Sequence, residues 1–167
     1  MRTLILRVMG STPLLLHRVA KHELRKQIAS SSNRGESFEI EALEVMSKDE
    51  GGKPAVPISW IWDAIRKGCS RIIVDEGKQL SFVTLQQALR LPIGPIGLKG
   101  NADHTPQWEV YTSVQHLVPR SSKMIAVVAP MFKRWILDLD VCVDTEWPDN
   151  PLLQRIFNEA GKTGIGL

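Results

Sequence analysis

The sequence predicts a single α+β domain, and three observations carry that expectation. Two segments repeat apolar residues at helical spacing behind clear start signals, several short aliphatic runs are bounded by Gly and Pro, and one run alternates between apolar and polar residues. A length of 167 residues suits one domain, and 43% apolar with 23% charged residues lies well away from chains that stay disordered. No stretch approaches the roughly 18 consecutive apolar residues of a membrane span. The opening MRTLILRVMGSTPLLLHR is too briefly apolar, and too interrupted by Arg7, Gly10 and Pro13, to read as a signal peptide. The expectation is a cytoplasmic protein with no membrane partner.

Residues 3 to 9 form a β-branched and aliphatic first strand, stopped by Gly10, Ser11, Thr12 and Pro13. Leu14 to Leu16 adds a short apolar step. A long insertion, 14 to 56, then splits into two parts of opposite sign. Residues 17 to 34 are basic and close on a Ser-rich tract, which reads as a loop or a poorly buried helix. Residues 36 to 47 read as an acidic helix behind a Ser37 cap, with Phe38, Ala42, Val45 and Met46 on one face. Lys53 to Val56 suits a short strand.

A clear helix follows Pro57. Ile58, Ile61, Trp62 and Ile65 recur as i, i+3, i+4 and i+7, and Gly68 is the expected stop. Trp62 belongs to that stripe, whereas Trp60 is expected to pack against the insertion. Arg71 to Val74 reads as strand, Ser81 to Arg90 suits strand or helix, and Pro92 to Gly100 is an irregular connection. Trp108 to Val118, Met124 to Val128 and Trp135 to Val143 read as strands, with Pro130 as a break. In the last of them Leu137, Leu139, Val141 and Val143 share one face and Asp138 and Asp140 the other, as in a half-buried antiparallel strand. A closing helix takes Asn150 as cap and Pro151 at its first position. Its stripe is Leu153, Ile156, Phe157 and Ala160, ahead of a glycine-rich end, 161 to 167.

That order predicts a ferredoxin-like (RRM-like) antiparallel sheet with two packed helices and a long insertion after the first strand. Its last strand is barely present, so the sheet is expected to be completed by a protein partner or a second copy.

Sites of chemistry are sparse. The chain has no GxSxG elbow, no HExxH, no Walker loop and no GxGxxG between a strand and a helix. Cys69 and Cys142 lack the spacing of a zinc site or a disulfide framework, and both are expected to be buried thiols. His17 and His22 sit among cations but have no nucleophile or orienting carboxylate beside them in sequence, and Asp138 with Asp140 suits a solvated strand face. No catalytic residue, metal or cofactor is expected.

Cations gather at Arg18, Lys21, Arg25 and Lys26, at Arg120 and Lys123, and at Lys133 and Arg134, which are flanked by Phe132 and Trp135. Cations beside exposed rings are what single-stranded nucleic acid requires, because ammonium and guanidinium groups hold phosphates while rings stack bases. If Phe132 and Trp135 are core residues instead, the cations only solubilise. A net charge of +3 permits nucleic acid without demanding it. Gly161, Gly164 and Gly166, with Lys162 among them, could cradle a phosphate or merely cap the helix before it.

Several segments together carry a resemblance: Gly10-Ser-Thr-Pro-Leu-Leu-Leu-His17 after the first strand, Gly52-Lys-Pro-Ala-Val-Pro57 into a helix, Ala129-Pro-Met-Phe132 before Trp135, and Glu159-Ala-Gly-Lys-Thr-Gly-Ile-Gly166. The chain resembles phage and mobile-element proteins distantly similar to the RAMP superfamily, the ferredoxin-like RNA-binding subunits of CRISPR effector complexes. In that superfamily a glycine-rich loop follows the last helix, and Gly161 to Gly166 is its equivalent here. The resemblance implies a non-enzymatic module that binds single-stranded RNA or DNA through phosphates, as a subunit of a larger phage or CRISPR-like assembly. It places nucleic acid at the sheet face and the loops 18 to 34 and 119 to 134. A phage-encoded protein-interaction subunit or inhibitor is the alternative, and a His-dependent endoribonuclease the third reading.

Overall fold

The computed structural model describes residues 1–16, 34–74, 77–100, 106–116 and 124–165. In chain order the elements are β1 (Arg2–Met9), β2 (Leu14–Leu15), α1 (Arg34–Val45), β3 (Ala55–Val56), α2 (Ile58–Cys69), α3 (Phe82–Ala88) and β4 (Leu89–Arg90). There follow β5 (Ile96–Gly97), β6 (Glu109–His116), β7 (Met124–Phe132), β8 (Ile136–Val143) and α4 (Asn150–Thr163). Among the described residues, four helices thus combine with antiparallel sheets in the order β1-β8-β4, β2-β7-β6 and β3-β5. β8 is antiparallel to both neighbours, so β1 and β4 run the same way on either side of it.

The alternation of β8 puts Leu137, Leu139, Val141 and Val143 into the core, where each is buried. The register sets them opposite Val8, Leu6, Leu4 and Arg2 of β1. These β1 partners are only half-buried, because β1 is the outer strand of its sheet among the described residues. Against this face lie α2, which buries Ile61, Ala64, Ile65, Gly68 and Cys69, and α4, which buries Leu153, Ile156 and Ala160. Each Leu or Ile side chain so buried contributes about 1.5–3 kcal/mol of transfer free energy. Trp62 meets Phe82 edge to face, with ring centroids 5.9 Å apart, and Trp60 packs on the core half-buried.

The second sheet is tied to the first through the β7–β8 connection. α1 packs on β7 and buries Ala42 and Val45. Pro130 does not break β7, which pairs with β6 through Val110 opposite Pro130. The Pro130 carbonyl accepts from the Leu16 amide at 3.1 Å. The missing Pro130 N–H faces the same side, so the ladder with β2 stops there.

Other boundaries differ from expectation for local reasons. α4 is capped by Asp149, whose carboxylate accepts from the Leu152 amide at 2.9 Å, rather than by Asn150. α1 begins at Arg34, so Ser37 lies inside it. Residues 71 to 74 are a turn with one bridge, Ile73 to Gln79, and not a strand. Ser81 caps α3 by accepting from Thr84 N, which settles 82 to 88 as helix, with strand only at 89 and 90. Gly68 does not end α2 but is buried within it. Cys69 is buried, whereas Cys142 is only partly so, because it stands on the outer sheet face beside Thr3.

Candidate nucleic-acid interface

Of the cations singled out in the sequence, Lys133, Arg134 and Lys162 fall among the described residues. Arg18, Lys21, Arg25, Lys26, Arg120, Lys123, His17, His22 and Gly166 lie outside them. Lys133 and Arg134 form the exposed turn between β7 and β8. Lys133 donates to Glu109 at 2.8 Å across the β6–β7 ladder, an ion pair open to water on both sides. Such pairs contribute only about 0–1 kcal/mol and exchange readily for another anion. Arg134 has no hydrogen-bond or ion-pair partner among the described residues.

The rings beside these cations are not available for stacking. Phe132 is fully buried and Trp135 is 8% exposed. Trp135 lies over Gly10, where a β-carbon would come within 2.1 Å of the indole, and its Nε1–H donates to the Thr12 carbonyl at 3.0 Å. Gly10 N in turn donates to Trp135 O at 3.0 Å, closing the turn onto the end of β1. The Phe-Lys-Arg-Trp pattern therefore separates into two anchors below and two cations above.

The glycine-rich end is also reorganised. α4 continues through Gly161 to Thr163, and Gly161 is exposed with open space around it. Of the two described glycines of this end, only Gly164, at φ 84°, has a backbone that calls for glycine, and its N–H already donates to the Gly161 carbonyl at 3.2 Å. A helix end presents carbonyls and a negative dipole, which disfavour phosphate. The described part of this segment is thus a helix cap and not an anion cradle.

Lys162 belongs to a cluster that sequence order conceals. Its ammonium donates to Glu159 at 2.6 Å one turn earlier. That bond, with the fields of Lys162, Arg71 and Arg155, lowers the Glu159 pKa. Arg155 also donates to the Ile73 carbonyl at 3.3 Å. Arg71 and Arg155 escaped the sequence reading because nothing local marks them. The only available signal was Gly68, small enough to let α2 approach another helix.

The outer sheet face carries a second charged group. Arg7 clamps Asp138 in a bidentate pair at 2.7 and 2.9 Å, and Lys99 donates to the same carboxylate at 3.0 Å. These cations hold the Asp138 carboxyl well below the usual carboxylate range. Asp140 is exposed alongside. Ile5 and Met9, 72% and 71% exposed, complete the face on the β1 side.

Among the described residues no three His, Cys, Asp or Glu side chains gather as metal ligands. No described helix is long and apolar enough to cross a membrane. No family model matches the chain, and neither the curated proteins nor the solved structures give a match.

Proposed function

We propose that this chain is a nucleic-acid-binding module that engages single-stranded RNA or DNA through phosphate contacts. The observation that carries the reading is the exposed Lys133–Arg134 turn, held rigidly by the buried Phe132 and Trp135 beneath it, with Arg134 unpaired among the described residues. Cations on an anchored turn lose less backbone freedom on meeting a phosphate than cations on a loose loop. With the rings buried, binding is electrostatic and tolerant of sequence. The sequence carries further cations at Arg18, Lys21, Arg25, Lys26, Arg120 and Lys123.

The fold proposed for this role is ferredoxin-like. β1, α2, β4, β8 and α4 follow the strand-helix-strand-strand-helix order, with β8 lying between β1 and β4; the elements from β2 to β3 are inserted after β1, α3 before β4, and β5 to β7 between β4 and β8. RAMP-like subunits of CRISPR-type or phage assemblies are the class to which this reading assigns the chain.

Titration of labelled oligouridylate and oligothymidylate at two salt concentrations tests it. Affinity should fall with salt, with a log–log slope of about −0.7 per phosphate contact for single strands. Absence of binding at low salt overturns the proposal.

A second reading is favoured by one observation. The edge of β1 away from β8 carries no strand among the described residues, and Ile5 and Met9 are exposed on the outer sheet face beside it. A strand added by a protein partner would pair with that edge and bring its own side chains alongside both. Light scattering and pull-down would then report an association that salt does not weaken.

A further inference from the structure

We propose that the crossing of α2 and α4 carries a second polyanion-binding face, formed by Arg71, Arg155 and Lys162 around Glu159, and that its ligand is the phosphodiester backbone of a single strand. The inference rests on the nucleic-acid reading above and names a face for it that is separate from the Lys133–Arg134 turn.

Gly68 is what assembles this face. Lacking a side chain, it lets α2 settle against the α4 backbone, with an ideal β-carbon position only 2.7 Å from Ala160 N and 3.1 Å from Glu159 C. Arg71, just past the end of α2, is thereby brought within electrostatic reach of Glu159. Arg155 and Lys162 lie one turn to either side of Glu159 along α4. Lys162 pairs with the Glu159 carboxylate, while Arg155 and Arg71 act on it only through their fields; Arg155 and Lys162 against Glu159 leave this stretch of α4 with a positive excess.

The rest of the surface matches a sugar–phosphate backbone better than a protein. Gln154 and Asn158 stand beside Arg155 and Lys162 along a shallow depression of about 480 Å³ on α4, whose lining holds no aromatic or large aliphatic residue and which Arg71 flanks from outside. Protein interfaces need an apolar or aromatic centre. Phosphate contacts are made by Arg, Lys, Asn and Gln side chains. In this setting Glu159 has two opposed effects. Its carboxylate gathers the cations, and it competes with an incoming phosphate for them. A neutral isostere at 159 therefore strengthens binding, the reverse of what a merely structural ion pair predicts.

The test uses labelled oligothymidylate at low and moderate salt with the full chain, thermal melting being recorded for every variant. The triple variant Arg71→Gln, Arg155→Gln, Lys162→Gln should bind at least about tenfold more weakly and lower the salt slope by about 2, from roughly 0.7 per contact. Glu159→Gln should bind about threefold more tightly. Amide shift changes in the unaltered protein on adding the oligonucleotide should centre on 71, 155, 159 and 162, a readout that does not depend on any variant folding. If the unaltered protein binds and the triple variant binds equally well, with shifts only elsewhere, this face is refuted while the general reading stands. No binding by the unaltered protein overturns both. A poly-glutamate peptide bound as tightly as an oligonucleotide of equal charge would overturn the nucleic-acid assignment.

Discussion

Gly68 and Ala160 mark the closest approach of α2 and α4: a β-carbon on Gly68 would stand 2.7 Å from the Ala160 amide nitrogen. Gly68→Ala should therefore destabilise the protein by about 1–3 kcal/mol through overpacking against backbone. Glycine to alanine inside a helix ordinarily stabilises by about 1 kcal/mol, so the sign itself is diagnostic. Chemical denaturation of the two proteins measures it.

Gly161 provides the opposite case on the facing helix. It is exposed, lies within α4 and has nothing within 4 Å of a β-carbon. Gly161→Ala should stabilise by about 0.5–1 kcal/mol and leave oligonucleotide affinity unchanged. A marked loss of affinity would restore the phosphate-cradle interpretation of the glycine-rich end. Gly164→Ala, at φ 84°, should instead cost about 1 kcal/mol.

Asp138 makes stability depend on acid. Arg7 and Lys99 depress its pKa in the folded state, so its contribution is complete above the unfolded value of about 3.9 and is lost as pH falls toward the lower folded value. Asp138→Asn should be less stable than the parent at pH 7. The gap should narrow progressively below about pH 4. Melting midpoints of both proteins across that range give the comparison.

The two cysteines should differ in reactivity. Burial pushes the Cys69 thiol up to about 11, leaving about a thousandth of it as thiolate at pH 8. Cys142 is half-buried on the outer sheet face, 3.6 Å from the Thr3 hydroxyl. A thiol reagent added to the native protein should modify Cys142 first and Cys69 only on unfolding. Equal rates would contradict the burial of Cys69.

Trp135 holds the Lys133–Arg134 turn from below. Trp135→Ala should cost about 3–5 kcal/mol. Trp135→Phe loses the Nε1–H bond to Thr12 O and with it about 1 kcal/mol. If the turn needs its anchor, Trp135→Phe should weaken oligonucleotide binding with little change in the salt slope, because no cation is removed.

Much of the chain was legible from local pattern alone. The stripe Ile58, Ile61, Trp62, Ile65 in α2, the stripe Leu153, Ile156, Phe157, Ala160 in α4 and the strict alternation of β8 each repeat at a period that only one backbone geometry satisfies; the strand face and the stripe centres are buried, while Ile58, Trp62 and Phe157 pack on the core only partly buried. Capping and turn residues were less decisive. Asp149 and Asn150 are both good caps, and the geometry of the preceding chain chose Asp149. Gly68 and Gly161 both looked like stops, yet both are helical, because packing at the first and continued hydrogen bonding at the second outweigh a propensity of about 1 kcal/mol.

The periodic segments show on their own which of their residues turn inward, and composition shows that cations are plentiful, since hydrophobic periodicity and charge are local properties. What stands beside those cations depends on packing. It buried Phe132 and Trp135 beneath the Lys133–Arg134 turn, and it carried Arg71 to Glu159, Arg155 and Lys162 across a helix crossing. The physical reason is that electrostatic partnership falls off within about 10 Å in space, whereas sequence separation places no limit on which residues packing brings that close.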